Sequence, residues 1–455
     1  MHPPRSIVDA AQQLRSRQVT PLELVEQCLD EIRKYDRQLR AWVVVDEEGA
    51  CRTARQLGDM AARGEYLGPL HGIPIGIKDI IDVASFPTRC GSPLRESHRA
   101  KADAPLVAAL REAGAIILGK TVTVEFACFD PPPTRNPWDP ELKHTPGGSS
   151  SGSAVAVAMG MCLAAIGTQT GGSLVRPASY CGIAACKPTF GRVATEGVVP
   201  VSYHLDHPGP MARTVGDLEL LLAHLPWPSQ FGWPRPPAPS PLEDRSFDAR
   251  APQLGWVEEW FVDGTDETIR EATAAAMEKL RKAGAEIKTV GLPKGFSEIL
   301  PLHRRIMAVE AAAYHRESFT HHREAYGPMI AGLLDEGLSL RAEAYAHALD
   351  HQREFRARIG SLFDGVDALV MPSTNTTAPA TLATTGDNRN QAPWSYLGVP
   401  VISIPCGLAS DGMPAAIQLV QRHYAEPTLF RVARWCETQL EFEAVSTLGR
   451  DEVRS

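Results

Sequence analysis

The chain of 455 residues is long enough for about three domains of ordinary size, or for one large α/β domain. Hydrophobic residues make up 44% and charged residues 22% of the chain, a composition that excludes a disordered or fibrous protein. The formal net charge of −8 at pH 7 argues against a protein whose main work is binding nucleic acid.

Alternating strand and helix patterns predict an α/β fold with helices on both faces of the sheet. Helices are expected over residues 21–38, 103–113, 154–161 and 267–284. Residues 70–83 are expected to form a buried strand that runs into a loop. Further strands are expected over residues 115–118, 163–170, 254–257, 285–292, 368–371 and 401–405.

The nine cysteines indicate a reducing compartment. They are scattered, odd in number and contain no Cys-x-x-Cys pair, so neither a disulfide framework nor a zinc knuckle is expected. The N-terminal segment lacks the apolar centre of a secretory signal, and the most apolar run, residues 154–166, is too short to span a bilayer. We therefore expect a cytoplasmic protein without a membrane partner.

Residues 114–121, GAIILGKT, match the phosphate-loop pattern letter for letter. That loop works because flexible, glycine-rich backbone turns its N–H groups around phosphates. Here the four middle positions are Ala, Ile, Ile and Leu, which favour a buried strand, and a helix precedes them. Nucleotide binding is not expected, and Lys120 is interpreted as an ordinary lysine at a strand end.

Residues 148–152 match the G-x-S-x-G pattern of a nucleophile elbow, with Ser150 in the nucleophile position. The elbow requires a strand immediately before it, whereas residues 141–147 are polar and broken by proline. The 14 histidines form no H-E-x-x-H motif, and only His321 and His322 are adjacent, on what is predicted to be a solvated helix. No metal or other cofactor is expected.

A serine–lysine chemistry without histidine fits the residues best. Lys78 lies within the apolar segment IPIGIKDIID, where burial would lower the pKa of its amine and suit it as a general base. Two glycine-flanked serine clusters follow, PGGSSSGS and TGGS. Glycines before a serine allow backbone N–H groups to converge on one point, as an oxyanion hole requires.

These segments resemble the amidase signature family. The matching stretches are residues 71–83, 113–127, 136–161, 166–193, 209–222 and 397–407. The resemblance implies a central mixed, twisted β-sheet covered by helices on both faces, built as one domain over residues 1–455. Its expected parts are a helical segment (1–65), a catalytic core (66–225), a proline-rich connector (226–243) and a C-terminal part (244–455).

The resemblance also implies a Ser–Ser–Lys triad. By position, Lys78 is the base, Ser149 is the bridging serine that follows a cis peptide bond, and Ser173 is the nucleophile. Lys78 would take a proton from Ser149 while Ser149 takes one from Ser173, and an acyl-enzyme would form and then be hydrolysed. The N–H groups expected in the oxyanion hole are those of Thr170, Gly171, Gly172 and Ser173.

Two positions depart from the family's pattern. Gln169 stands where an aspartate is usual, and Val175 replaces an arginine that commonly follows the nucleophile by two positions, with Arg176 one place later. A neutral hydrogen-bonding arrangement is therefore expected in place of an ion pair. Ser150, Gln169 and Arg176 are expected to support the site.

The substrate pocket is expected to take residues from two parts of the chain. The segment after Glu-Phe-Ala contributes Cys128, Phe129 and Asp130, and the C-terminal part contributes Trp394 and Tyr396. Their aromatic and apolar character favours an aryl or bulky acyl group over a charged amino acid. Core packing is the competing interpretation for Phe129 and Trp394.

The function expected from these residues is hydrolysis of a carboxylic amide C–N bond through a serine acyl-enzyme, with ester and carbamate bonds as further candidates. The alternative is the A-type subunit of a tRNA-dependent amidotransferase that releases ammonia from glutamine. A non-catalytic relative is disfavoured because all three triad residues are present. Expected partners are a small amide, ester or carbamate and, as one option, a second copy of the chain in a homodimer.

Overall fold

A computed structural model describes residues 6–228, 250–443, 446 and 448. Residues 229–243 of the predicted proline-rich connector therefore lie outside the described residues. The strands are β1 (Trp42–Val45), β2 (Pro74–Lys78), β3 (Ile116–Thr121), β4 (Ala164–Gln169), β5 (Ala184–Lys187), β6 (His207–Ala212), β7 (Gln253–Trp256), β8 (Glu286–Thr289), β9 (Ala368–Pro372), β10 (Val401–Leu408) and β11 (Pro414–Val420).

Within the described residues these strands form one mixed sheet in the order β1-β3-β2-β4-β6-β5-β10-β11-β9-β7-β8. Strand β2 pairs in parallel with both β3 and β4, and β7 pairs in parallel with β8 and β9. The other neighbouring strands are antiparallel. The sheet thus combines strands from both sides of the connector.

Helices cover both faces of this sheet, which confirms the predicted fold class. Along β3, Ile117 packs in one hydrophobic core, while Ile116 and Leu118 pack in another, because successive strand residues point to opposite faces. The α-helices of the described residues are α1 (Ile7–Arg15), α2 (Pro21–Leu39), α3 (Glu47–Ala62), α4 (Pro105–Glu112), α5 (Ser151–Ala158), α6 (Val175–Cys181), α7 (Val215–His224), α8 (Glu267–Lys282), α9 (Ile299–His322), α10 (Pro328–Ser339), α11 (Ala342–Arg358), α12 (Ala392–Leu397) and α13 (Glu426–Leu440).

Local sequence signals account for several of these elements. Helix α2 begins at Pro21 after Thr20, whose hydroxyl accepts from the N–H of Glu23 while the Glu23 carboxylate accepts from the N–H of Thr20. Helix α5 is built from small residues, and a Cβ on its Gly152 would lie 2.1 Å from the carbonyl oxygen of Ala41. The small residues therefore let α5 approach the sheet closely.

The segment that matches the phosphate-loop pattern contains a buried strand, as predicted. Residues of β3 are buried throughout, and the strand hydrogen bonds to β1 and β2. Lys120 is more than an ordinary strand-end lysine, because its side chain is fully buried. Its Nζ donates to the Pro87 carbonyl at 2.8 Å and lies 3.0 Å from the Asp79 carboxylate.

Replacing Lys120 with methionine should lower the free energy of unfolding by about 3 kcal/mol, because it leaves the buried Asp79 carboxylate without its counter-ion. Urea unfolding of the variant and the parent protein would measure this change. Lys282→Met is the control, since Lys282 is exposed and its contact with Glu278 spans 3.7 Å. Equal stability of the two variants would contradict a structural role for the buried pair.

Candidate active site

The candidate site lies where β2 and β4 end side by side. Parallel strands present their carboxyl ends at one edge of a sheet, so Lys78, the last residue of β2, lies close to Thr168 near the end of β4. Ser149 comes two residues before α5 begins, and Ser173 lies in the turn that follows β4. Three chain segments therefore meet at this edge.

Lys78 is fully buried and contacts two hydroxyl groups. Its Nζ lies 2.6 Å from Ser149 Oγ and 2.8 Å from Thr168 Oγ1, and both contacts are hydrogen bonds. Asp79 faces the other way, towards Lys120, as the alternation of a strand predicts. Lys78 is thus held by hydroxyl groups and not by the adjacent carboxylate.

Burial lowers the pKa of Lys78 from 10.5 to about 7, because the charged ammonium loses its hydration. The negative charge of Asp206 acts in the opposite direction, and so do the thiols of Cys128 and Cys90. Burial itself raises the pKa values of both thiols, so they are neutral near pH 7. An amine with a pKa near 7 can accept a proton at physiological pH.

The peptide bond between Gly148 and Ser149 is cis. Ser150, next along the chain, is fully buried, and its hydroxyl bonds to the N–H and the carbonyl of Thr168, both at 3.2 Å. Residues 141–150 are all described by the structure, and none of them lies in a β-strand. The nucleophile-elbow interpretation of Ser150 therefore fails, and Ser150 instead links its loop to β4.

Residues 170–173 form a loop whose four carbonyl oxygens all bond to protein groups behind it. His303 Nε2 donates to the carbonyl of residue 170 at 3.0 Å, and Ser395 Oγ donates to that of residue 171 at 2.8 Å. The Arg176 N–H donates to the carbonyl of residue 172 at 3.0 Å, and the Ser150 N–H donates to that of residue 173 at 3.1 Å. Within the described part of the chain, the N–H groups of Gly171, Gly172 and Ser173 have no protein acceptor. Three consecutive backbone N–H donors of this loop are thus free of protein acceptors in the described structure.

Gln169 precedes this loop, and its neutral side chain binds the backbone directly after the loop. Its Oε1 accepts from the N–H groups of Leu174 and Val175, both at 3.0 Å, and its Nε2 donates to Ser395 Oγ at 3.0 Å. This is the neutral hydrogen-bonding arrangement expected around Gln169. His303 and Ser395 carry no local sequence signal, because each reaches the loop from a distant part of the chain.

Arg176 is buried at the base of the site. Its guanidinium donates to the carbonyl of Gly148 at 2.8 Å, to the carbonyl of Gly386 at 2.7 Å and to Thr385 Oγ1 at 3.0 Å. Among the described residues no carboxylate lies within ion-pair distance of it, and its Nε has no hydrogen-bond partner. Burial lowers the pKa of Arg176, but a guanidinium in a protein stays charged.

One cavity joins these groups, with about 360 Å³ of empty space including its mouth. No hydrogen bond connects the hydroxyls of Ser149 and Ser173 within the part of the chain that the structure describes, although both residues line this cavity. Its lining residues are Val124, Ala127, Cys128, Phe129, Ser149, Thr170, Gly171, Gly172, Ser173, Arg176, Met307, Thr385 and Asn388.

Of the five residues expected in the substrate pocket, Cys128 and Phe129 line this cavity, and Asp130, Trp394 and Tyr396 do not. Asp130 caps α10, where its carboxylate accepts from the N–H groups of Met329 and Ile330. Trp394 and Tyr396 are fully buried in the core.

The two aromatic residues have partners away from the cavity. Trp394 stacks on Phe261 with ring centroids 5.4 Å apart, and the Tyr396 hydroxyl donates to the carbonyl of Ala348 at 3.0 Å. The C-terminal part instead contributes Met307, Thr385 and Asn388 to the cavity.

The described residues contain neither a cluster of potential metal ligands nor a helix suited to a membrane. No group of three or more His, Cys, Asp or Glu side chains could hold a metal ion in these parts of the chain. No helix found there is long and apolar enough to cross a bilayer. His321 and His322 are exposed at the end of α9, as predicted.

Comparison with known proteins identifies relatives of the whole chain. The family model described as Amidase matches residues 23–430. An amidase of Pseudomonas putida is 35% identical over 447 residues, which cover 94% of this chain and 94% of that protein. The A-type subunit of the glutamyl-tRNA(Gln) amidotransferase from Roseiflexus castenholzii is 34% identical over 465 residues, with the same coverage of each chain. The native peptide amidase from Stenotrophomonas maltophilia is 28% identical, with a TM-score of 0.81 and 96% of each chain covered.

Proposed function

The chain belongs to the amidase family of hydrolases that act on C–N amide bonds, and from that premise we propose that Lys78, Ser149 and Ser173 carry out the hydrolysis. The observation that carries the proposal is the hydrogen bond from fully buried Lys78 to Ser149, which lines the same cavity as Ser173. A buried amine with a pKa near 7 and two hydroxyls in sequence can move a proton away from a nucleophile.

In the proposed first half-reaction, Ser173 attacks the amide carbonyl. Neutral Lys78 takes the proton of the Ser149 hydroxyl, and Ser149 takes the proton of Ser173 as the new C–O bond forms. The proton then returns through Ser149 to the leaving nitrogen, the C–N bond breaks, and the amine departs. An ester now joins the acyl group to Ser173 Oγ.

The same three residues carry the protons in the second half-reaction, in which water hydrolyses the acyl-enzyme. A water molecule takes the place of the amine and gives its proton to Ser149, which passes one to Lys78 as water attacks the ester. Ser173 regains its proton when the carboxylic acid leaves. In both steps the negative charge that develops on the carbonyl oxygen faces the N–H groups of Gly171, Gly172 and Ser173, which lack protein acceptors in the described structure.

We propose further that the acyl part of the substrate carries a hydrogen-bond acceptor, and most favourably a carboxylate. Arg176 brings a buried positive charge to the cavity with no carboxylate within ion-pair distance in the described residues. Asp387 acts on this charge from beyond ion-pair distance, so a substrate carboxylate would supply a direct partner for a costly buried charge. Asn388 and Thr385 add polar groups to the same wall.

Hydrolysis of a panel of primary amides tests this substrate class. Among acyl chains of equal length, a terminal carboxylate should raise kcat/KM by about 10-fold or more over a terminal methyl group, because it pairs with a buried guanidinium. Anilides, aryl esters and aryl carbamates belong in the same panel, since attack by Ser173 on the carbonyl carbon could cleave any of these bonds. If bulky neutral aryl substrates had the highest kcat/KM in the panel, this result would contradict the role given to Arg176.

Arg176→Met separates recognition from catalysis. Because Arg176 also holds the Gly148 carbonyl, the variant should lose some activity on every substrate. The informative quantity is the ratio of kcat/KM between the carboxylate and methyl substrates, in which a common loss cancels. That ratio should fall towards unity in the variant.

The alternative function, an amidotransferase subunit that releases ammonia from glutamine, is supported by the similarity to the Roseiflexus castenholzii protein. Glutamine carries a carboxylate too, so it belongs in the substrate panel. Ammonia release from glutamine that requires a co-purifying protein would favour the amidotransferase. Hydrolysis of other primary amides by the isolated chain would favour a stand-alone amidase.

A further inference from the structure

Asp206 lies beside the candidate site and has no part in the proton relay described above. Its Oδ1 accepts from Thr170 Oγ1 at 2.5 Å, and its Oδ2 accepts from the N–H groups of Val201 and Ser202 at 2.8 and 3.0 Å. The two carboxylate oxygens therefore connect the turn before β6 with Thr170, the first residue of the loop formed by residues 170–173, which we call the oxyanion loop.

Thr170 is held on two sides by this arrangement. Asp206 accepts a hydrogen bond from the Thr170 hydroxyl, while His303 on α9 donates to the Thr170 carbonyl at 3.0 Å. Thr170 is buried and lines the cavity next to Gly171 and Gly172. A shift of Thr170 would therefore move the N–H groups that follow it.

Asp206 and Lys78 bind hydroxyls that are two residues apart at the end of β4, Lys78 that of Thr168 and Asp206 that of Thr170. At this separation the negative charge of Asp206 acts on Lys78. Besides burial, the groups that affect Lys78 are Asp206 and the thiols of Cys128 and Cys90. The thiols are neutral near pH 7 because burial raises their pKa values, so Asp206 supplies the one ionised group of the three. The carboxylate of Glu310 in turn acts electrostatically on Asp206. Glu310 is itself hydrogen-bonded to His204, Ser202 and Tyr345.

We propose that Asp206 is a positioning residue with two roles: its carboxylate fixes Thr170 at the start of the oxyanion loop, and its negative charge favours the protonated form of Lys78. This inference rests on the proposed role of Lys78 as the base. Burial raises the pKa of Asp206 to about 6, so most of this carboxylate is ionised at pH 7 and above, where the Lys78 amine loses its proton.

The two roles predict two separate effects of Asp206→Asn. The rate constant kcat should fall by about 10-fold or more with little change in KM, because a displaced oxyanion donor weakens an interaction made in the transition state. The acid limb of the kcat profile should move about 1 pH unit towards acid, because Lys78 loses a nearby negative charge and its pKa falls. A purely structural residue would not move that limb.

Thr170→Val tests the first role alone, since it removes the hydroxyl and keeps both the volume and the Asp206 charge. It should lower kcat as Asp206→Asn does, without moving the acid limb towards acid. The double variant should lose no more kcat than Asp206→Asn, because both changes break one interaction.

Asp217→Asn is the matched control. Asp217 is fully buried, burial raises its pKa to about 6, and it accepts from the N–H of Val8, away from the cavity. This variant should keep the parent kcat and acid limb. The proposal would be overturned if Asp206→Asn kept the parent kcat and the parent acid limb of the pH profile. It would also be overturned if Asp206→Asn lowered kcat without moving that limb. Lys78→Ala distinguishes this failure from that of the proposed function, because only in the latter case would Lys78→Ala remain active.

Discussion

Replacing Ser173 with alanine should lower turnover by about 10⁴-fold or more while the protein stays folded, because the acyl-enzyme has no other oxygen on which to form. Ser173 is partly exposed in the cavity, and none of the groups that position its loop in the described structure binds the Ser173 hydroxyl. Substrate binding should therefore be retained. Steady-state rates and the thermal unfolding midpoint together measure both expectations.

Chemical labelling checks the same assignment independently. A fluorophosphonate should add its mass to the peptide that contains Ser173, and the label should be absent from the Ser173→Ala protein. Ser151→Ala is the control, because Ser151 is fully buried at the start of α5 and its hydroxyl faces the carbonyl of Val122. A label on Ser150 would restore the nucleophile-elbow interpretation despite the missing strand before it.

The parts of this site that the sequence predicts are those with a local signal. The apolar segment around Lys78 predicts a buried strand, and β2 ends at that lysine. The glycines around Ser149 and Ser173 predict tight loops at the edge of a sheet, where both serines lie. In each case the residues that decide the local structure are neighbours in the chain.

The contacts that hold the loop in place have no such signal. His303, Ser395 and Asp206 reach residues 170 and 171 from α9, α12 and the turn before β6. Their chemistry is ordinary for buried polar residues, so the sequence cannot tell which of the many serines, histidines and aspartates will do this. Long-range packing decides it.

Aromatic character is a poor guide to the pocket for a related reason. Large apolar side chains bury equally well in a core or in a cavity wall, and Trp394 and Tyr396 have their partners in the core. The C-terminal part instead contributes Met307, Thr385 and Asn388 to the cavity, and none of these carries a sequence signal that would single it out. Of the residues on which the expected aryl preference rested, Cys128 and Phe129 line the cavity and the two C-terminal aromatic residues do not.

Replacing Lys78 with alanine should lower kcat by about 10²-fold or more, the usual loss of a general base. In the parent protein the rate should rise with pH and reach half its maximum near pH 7, because the amine accepts a proton only when neutral and its pKa is about 7. The rate should stay high on the alkaline side until the fold fails. Lys78→Arg should not restore activity, since a guanidinium remains charged at any working pH.

Lys187 provides a matched control for this pH dependence. It is also fully buried, burial lowers its pKa to about 7, and its Nζ donates to the carbonyl of Val399 at 2.6 Å, outside the set of residues that line the cavity. Lys187→Met should lower stability yet leave the midpoint of the pH–rate profile unchanged, because that midpoint belongs to Lys78. If the midpoint moved with Lys187, or if Lys78→Arg kept the parent activity and profile, the base would have to be another group.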